Sequence, residues 1–330
     1  MPSTSLTIPA EWAPHQAIWT AWPSHADLWQ DDLAGARQEV TAMIRALAQG
    51  DTVKVLACGG EAIASADIIL DDVAEVIRAD FGDIWLRDTG PIFAVENGQC
   101  VALRFRNNGW GGKYVLAGDD AVGDLVVSAA GVNARHNDFI LEGGALEHNG
   151  EGVVLTTRQC LLNPNRNPGW TEAVAEEQLK AALNCKQVLW LDEGLANDHT
   201  DGHIDNLARF ITPDTVLCQS ASGDDDPNTD VYEAIAHKLA GFGLNVFRIP
   251  SPGLVLDEEG EAMPASHMNF LIGNAAVVVP VYNTRYGREA VDALKPLFPD
   301  HAVVGLSSRH LLTGGGSFHC ITQQQPVVTE

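Results

Sequence analysis

Between Leu33 and Gln49 the apolar residues fall at positions 33, 36, 40, 43, 44 and 47, which is the stripe of a helix with one packed face, and Gly50 ends it. A strand follows over Thr52–Ala57. Further helical patterns begin near residues 61, 120, 172, 231 and 288, at separations of 59, 52, 59 and 57 residues. Between them lie β-branched runs at Val101–Phe105, Val153–Thr157, Val188–Leu191, Val216–Cys218, Val246–Ile249 and Ala275–Val281. An α/β unit recurring at a period above 50 residues predicts a closed array of five units. No linker or shift in composition divides the chain, so residues 1–330 read as one domain.

Composition narrows the class. Hydrophobic content of 45% with 19% charged residues suits a soluble globular enzyme. No apolar run reaches the length of a membrane span, and Met1–Ser5 sets no basic patch before an apolar core, so a cytoplasmic protein is expected. Cysteines 58, 100, 160, 185, 218 and 320 form no CxxC pair, which argues against a disulfide framework or a zinc ribbon. A formal charge of −24 disfavours nucleic acid and anionic membrane and attracts a small cation, although acidity also serves solubility alone. The acidic run Asp224–Asp226 is expected to solvate a loop, with Thr229 or Asp230 capping the next helix. Trp12, Trp19 and Trp22 mark either a heavily packed segment or an aromatic wall for a ligand.

A second periodicity runs through the polar residues. Asp88, Glu142, His203, His267–Asn269 and Cys320 recur at spacings of 54, 61, 64 and 53, one signature per unit, as an array with a shared axis requires. Asp88 stands before Thr-Gly-Pro, a turn that can present it to a ligand with Trp85 as a flat wall, while Arg87 faces away into an ion pair. Glu142 precedes two glycines, next to backbone that can approach a ligand closely. His203 and Asp205 are two apart, so a strand would place imidazole and carboxylate on one face. Cys320 follows Gly314-Gly315-Gly316-Ser317-Phe318-His319 in a run that reads as strand. Either it is a buried structural thiol, or it is a nucleophile that the glycine loop leaves uncrowded. Strand alternation turns His319 away from whatever Cys320 attacks, so the base must come from elsewhere.

One thiol, one histidine and several acids in an acidic protein suit a planar cation better than a neutral amide. A guanidinium offers paired N–H forks to carboxylates, and its charge stabilises a thiolate beside it. A metal-dependent hydrolase on His199, Asp201, His203 and Asp205 is the competing reading, although Gly202 disfavours a helix carrying both histidines on one face. A non-catalytic binding module is the third.

The stretches FGDIWLRDTGP, EGGALEHNGEG, NRNP (165–168), DGHIDNLARF and GGGSFHCITQQQP resemble the agmatine deiminases. These belong to the bacterial-type peptidylarginine deiminase family, within the guanidino-group-modifying pentein superfamily. The resemblance implies a five-bladed, pseudo-symmetric α/β propeller with the active site on its central axis. It implies Cys320 as nucleophile, His203 as general acid/base, Asp88 and Asp205 on the guanidinium, and Glu142 orienting the histidine or touching substrate. Trp85, Trp110 and Gly315 would line the substrate. It implies no metal and no organic cofactor, and a small cationic guanidino partner such as agmatine, with self-association left open. Ser317 and Phe318 replace the family's usual asparagine and isoleucine, His199 stands where many relatives carry an acid, and the chain is shorter than many of them.

Overall fold

Among the described residues the strands form five sheets, and these share one wiring: a first strand, an antiparallel second, a helix, and a third strand parallel to the second. The first sheet pairs Ile92–Glu96 with Gln99–Arg106, crosses through the helix Val122–Ala130 and adds Asn133–Ile140; Leu6–Thr7 caps its edge. The second uses Glu147–His148, Val153–Thr157, the helix Glu172–Leu183 and Gln187–Leu191. The third uses Ala208–Thr212, Thr215–Ser220, the helix Thr229–Gly241 and Asn245–Pro250. The fourth uses Leu271–Ile272, Ala276–Val281, the helix Thr284–Leu294 and Ala302–Ser307. The computed structural model describes residues 6–328, and the Met1–Ser5 stretch lies outside them.

The fifth sheet is assembled from both ends of the chain. Thr322–Pro326 lies antiparallel to His15–Ala21, with Gln323 opposite Trp19, and the helix Leu33–Leu47 leads on to Val53–Ala57. This closes the array without an open seam between the termini. The five-unit reading therefore stands, with one correction. The helix expected near residue 61, Gly60–Leu70, is an addition leading to an extra edge strand, Glu75–Arg78; the helix of that unit is Leu33–Leu47. Both carry an apolar stripe, so periodicity alone cannot tell which of them belongs to the repeat.

Trp19 and Trp22 are wholly buried, Trp19 stacking on Phe93 and donating Nε1–H to Gln325 at 2.9 Å, so this segment is packing and no ligand wall. Asp224 and Asp225 are exposed as expected. The N-cap of Thr229–Gly241, however, is Asn228, and the preceding turn is tied by buried Asp226, which accepts from the backbone N–H of Ser222 and of Asn228 at 3.0 Å each. Cys320 lies in a turn, not a strand, because the strand begins at Thr322; likewise His203 precedes and Asp205 lies within a 3-10 turn, Ile204–Asn206, ahead of the strand at Ala208.

Candidate active site

Immediately before the first strand of each sheet, the chain makes a turn that exposes side chains at its end, and the polar signatures sit in these turns. Asp88 is on the single helical turn Leu86–Thr89, and Glu142 precedes the 3-10 turn Gly143–Ala145. His203 precedes Ile204–Asn206, Asn269 precedes Leu271, and Cys320 precedes Thr322.

Their convergence is fixed by one glycine. A Cβ on Gly144 would lie 2.6 Å from His203 Nδ1, 2.8 Å from Asp88 Oδ1 and 3.1 Å from Asp205 Oδ2, so only a residue without a side chain fits among them. Gly144 N–H donates to Asp88 Oδ1 at 2.8 Å, and Trp110 Nε1–H to Asp88 Oδ2 at 2.8 Å. His203 Nδ1 is 3.8 Å from Asp88 Oδ2. The sulfur of Cys320 lies 3.6 Å from Asp205 Oδ2 and 3.0 Å from Asn269 Nδ2, while Asn269 Oδ1 accepts the Cys320 N–H at 3.2 Å. Thus Asn269, and not the adjacent His267, is the fourth unit's contribution. His267 stacks on Tyr282 and bonds to Pro250 O through Nδ1 at 2.8 Å, and burial pushes its ring down to about 4.

The glycine triplet serves the thiol through Trp85. Its indole packs so closely that a Cβ on Gly314 or Gly316 would lie 2.8 or 2.6 Å from it, and one on Gly316 would also lie 3.2 Å from the Cys320 sulfur. Asp83 holds the indoles of Trp85 and Trp29 together, at 2.8 and 2.9 Å. Gly315 takes φ 101° and faces His199 across the mouth, where His199 Nδ1 meets the Tyr114 hydroxyl at 3.0 Å. Seven acids (Asp31, Asp32, Asp198, Asp257, Glu258, Glu259 and Glu261) line that cleft against Lys113 and Arg309.

Behind the site lies a row of buried charges. His319 Nδ1 stands 2.8 Å from Asp205 Oδ2, and its Nε2 stands 2.9 Å from Glu11 Oε2. Arg209 joins Glu11 at 2.6 Å to Glu147 at 2.9 Å, and Arg87 lies 3.8 Å from Glu11 while donating to Gln323 and Gln324. Arg87 faces away from the ligand side, as the sequence suggested. His319 departs from expectation: residues 317–321 are not strand, alternation does not apply, and its ring contacts the carboxylate that meets the sulfur. Glu142 accepts from Arg166 Nε at 2.9 Å.

The charges differ around the site. Burial, then Asp205 and Asp88, raise the Cys320 thiol well above the ordinary thiol range. Burial also raises Asp88 despite His203. Burial works against a charged ring at His203, but Asp88, Cys160 and Glu142 outweigh it and lift His203 well above the ordinary imidazole range. Burial likewise opposes ionised Asp205, but His319, His203 and Arg209 together hold it below its ordinary value.

The metal set His199, Asp201, His203 and Asp205 does not assemble. His199 is at the rim, and Asp201 pairs with Lys113 at 2.6 Å and with Arg166. Among the described residues the one trio of metal-ligating side chains is Glu142, Cys160 and His203.

Comparison with known proteins gives a single direction. The model of the Porphyromonas-type peptidyl-arginine deiminase family matches residues 7–326. An agmatine deiminase of Stutzerimonas stutzeri is 35% identical over 97% of this chain and 95% of its own. The structure superposes on the agmatine deiminase of Enterococcus faecalis with a TM-score of 0.92 at 30% identity, covering 98% of this chain and 96% of that one. A C. jejuni agmatine deiminase solved with substrate bound gives 0.93 at 29% identity, covering 100% and 99%.

Proposed function

From a chain that belongs to the Porphyromonas-type peptidyl-arginine deiminase family, we propose hydrolytic deimination of agmatine to N-carbamoylputrescine and ammonia, by a single catalytic unit. The observation that carries this reading is the placement of two carboxylates and an imidazole 2.6–3.1 Å from one point, the missing Gly144 Cβ, with the Cys320 sulfur 3.6 Å from Asp205.

Asp88 and Asp205 clamp the guanidinium. Its positive charge offsets the two acids that hold the Cys320 thiol up, and at about 4 Å with an effective dielectric near 20 the sulfur–guanidinium attraction is on the order of 4 kcal/mol before desolvation. The thiolate attacks the central carbon and a C–S bond forms. The imidazolium of His203 gives its proton to one nitrogen, the C–N bond breaks, and ammonia leaves a cationic thiouronium adduct. Neutral His203 then takes a proton from water, hydroxide adds to the same carbon, and collapse breaks the C–S bond as the hydroxyl proton leaves to solvent, where it converts the released ammonia to ammonium. Thiolate and imidazolium are restored. Glu142, held by Arg166, keeps the imidazole charged and oriented.

The acidic cleft over Gly315 favours a substrate whose far end is an amine, where arginine would bring a carboxylate. Trp85 and Trp110 give the guanidinium flat walls. Agmatine deimination would serve polyamine (putrescine) formation, and a cytoplasmic setting belongs to the same reading. Ammonia release from agmatine, compared with arginine and a peptidyl arginine, tests the reading. Cys320→Ser should abolish release while the fold stays intact, and a Cys320→Ser protein that retains full turnover overturns it.

A further inference from the structure

A second cysteine stands beside the acid/base histidine. Cys160 lies on the short helix Arg158–Leu161, wholly buried, its backbone N–H received by the Thr157 hydroxyl at 3.2 Å. Its sulfur, an oxygen of Glu142 and a ring nitrogen of His203 all lie within 4.8 Å of one another. Glu142 Oε2 and both ring nitrogens of His203 are buried with no hydrogen-bond partner, so no neighbour competes with a ligand for them once the ring gives up a proton. The other Glu142 oxygen is fixed by Arg166, which in turn donates to Thr200 O at 2.9 Å and to Asp201. That outer support sets the carboxylate's orientation, and Asp201 answers the arginine's charge.

Thiolate, imidazole and carboxylate from three separate turns are a zinc-type donor set. Donors around a tetrahedral zinc at about 2.0–2.3 Å lie roughly 3.3–3.8 Å apart, so closing this trio takes side-chain shifts of about 1 Å. We propose that Cys160, His203 and Glu142 form an inhibitory site for a thiophilic divalent cation, separate from the nucleophile. The cation replaces both the Cys160 thiol proton and the proton held by the His203 ring, which leave to solvent as the metal–sulfur and metal–nitrogen bonds form, and no electrons are transferred. The His203 lone pair is then committed to the metal, and the ring no longer carries the proton that departing ammonia needs. Without metal, burial raises Cys160, so the thiol stays protonated.

The binding geometry stands without the deimination reading, while the inhibition rests on it, and two measurements separate them. Co2+ added to metal-free Cys320→Ser protein should give a near-ultraviolet thiolate-to-cobalt band that vanishes when Cys160→Ala is added. In enzyme with Cys320 intact, the Zn2+ concentration for half inhibition should rise at least about tenfold in Cys160→Ala, each protein being referred to its own zinc-free rate. Cys160→Ser serves both arms if the alanine variant fails to fold. A band that survives loss of Cys160, a band absent from Cys320→Ser, or unchanged zinc sensitivity overturns the proposal.

Discussion

Asp88 and Asp205 are both buried and both aim at the same point beside Gly144, yet their surroundings push them in opposite directions. Asp88 accepts from neutral donors, a backbone N–H and the Trp110 indole, and burial raises it despite the His203 ring 3.8 Å away. Asp205 meets the His319 ring, and behind that ring Glu11, Arg209 and Glu147 follow with alternating sign. Two carboxylates are both served by one imidazole only when both its nitrogens carry protons, so the ring, and not the row as a whole, is the cation beside Asp205. Burial therefore does not decide the charge of a clamp acid; the residues one layer back do. One acid is held below its ordinary value and the other above it.

The largest effect expected from this contrast is on stability. Asp205→Asn breaks a buried pair and should cost about 3–5 kcal/mol at neutral pH. Asp88→Asn removes a carboxylate that burial opposes but leaves the His203 ring without its partner at 3.8 Å, so it should cost less than Asp205→Asn at neutral pH, while activity is lost in both. The linkage signs agree. A raised Asp88 favours the fold below its unfolded value near about 3.9, and that favour is lost as pH rises through the folded value. A lowered Asp205 stabilises above about 3.9, and this is lost as pH falls through its folded value. Denaturant unfolding from acid to neutral pH checks this. Equal destabilisation by both variants at neutral pH would break the contrast.

Next in size is His319→Gln, which removes the cation behind Asp205 without touching substrate. A hydrogen bond to a charged group is worth about 1.5–3 kcal/mol, so kcat/KM should drop roughly 10- to 100-fold. Asp205 must be ionised to hold the guanidinium, and its carboxyl rises once the cation is gone. The acid limb of the kcat/KM profile should therefore move to higher pH. In the unsubstituted enzyme Asp88, the raised acid, is expected to set that limb, and losing the cation should carry Asp205 past it. A fall in rate with an unmoved limb would make His319 merely structural.

Much of this layout was legible in the chain. The period above 50 residues gave the repeated wiring, and one polar signature per unit marked the turns that meet. What escaped was whatever depends on the exact end of an element. The strand at Thr322 starts two residues after Cys320, so the alternation used to dismiss His319 had no strand to act on. The fourth signature held both His267 and Asn269, and only packing separates the side chain stacked on Tyr282 from the one touching sulfur. Glu11 bonds His319 across 308 positions, and Cys160 meets His203 from a different sheet's turn; no local pattern encodes either contact. Gly144 was noted as flexible backbone, whereas its function here is to lack a Cβ.

The smallest expected effect refines the contrast at Asp88. Trp110 sits at φ 52°, in a glycine-rich loop whose chain reversal aims the indole N–H at Asp88 Oδ2. Trp110→Phe keeps an aromatic wall for the guanidinium and deletes that one donor. Losing a hydrogen bond of roughly 1.5 kcal/mol to a carboxylate corresponds to about a tenfold loss in kcat/KM. The loss should appear chiefly in KM, because the bond orients a clamp acid and takes no part in proton transfer. Asp88 then has only the Gly144 N–H left, so its carboxyl rises further and the acid limb moves to higher pH, as for His319→Gln but by less. The two variants part on stability. His319→Gln unbalances a row of five buried charges, whereas Trp110→Phe leaves a raised acid closer to the neutral form that burial already favours. Unfolding midpoints should therefore fall clearly in the first and change little in the second; a Trp110→Phe protein with an unmoved acid limb would show that Asp88 does not govern it.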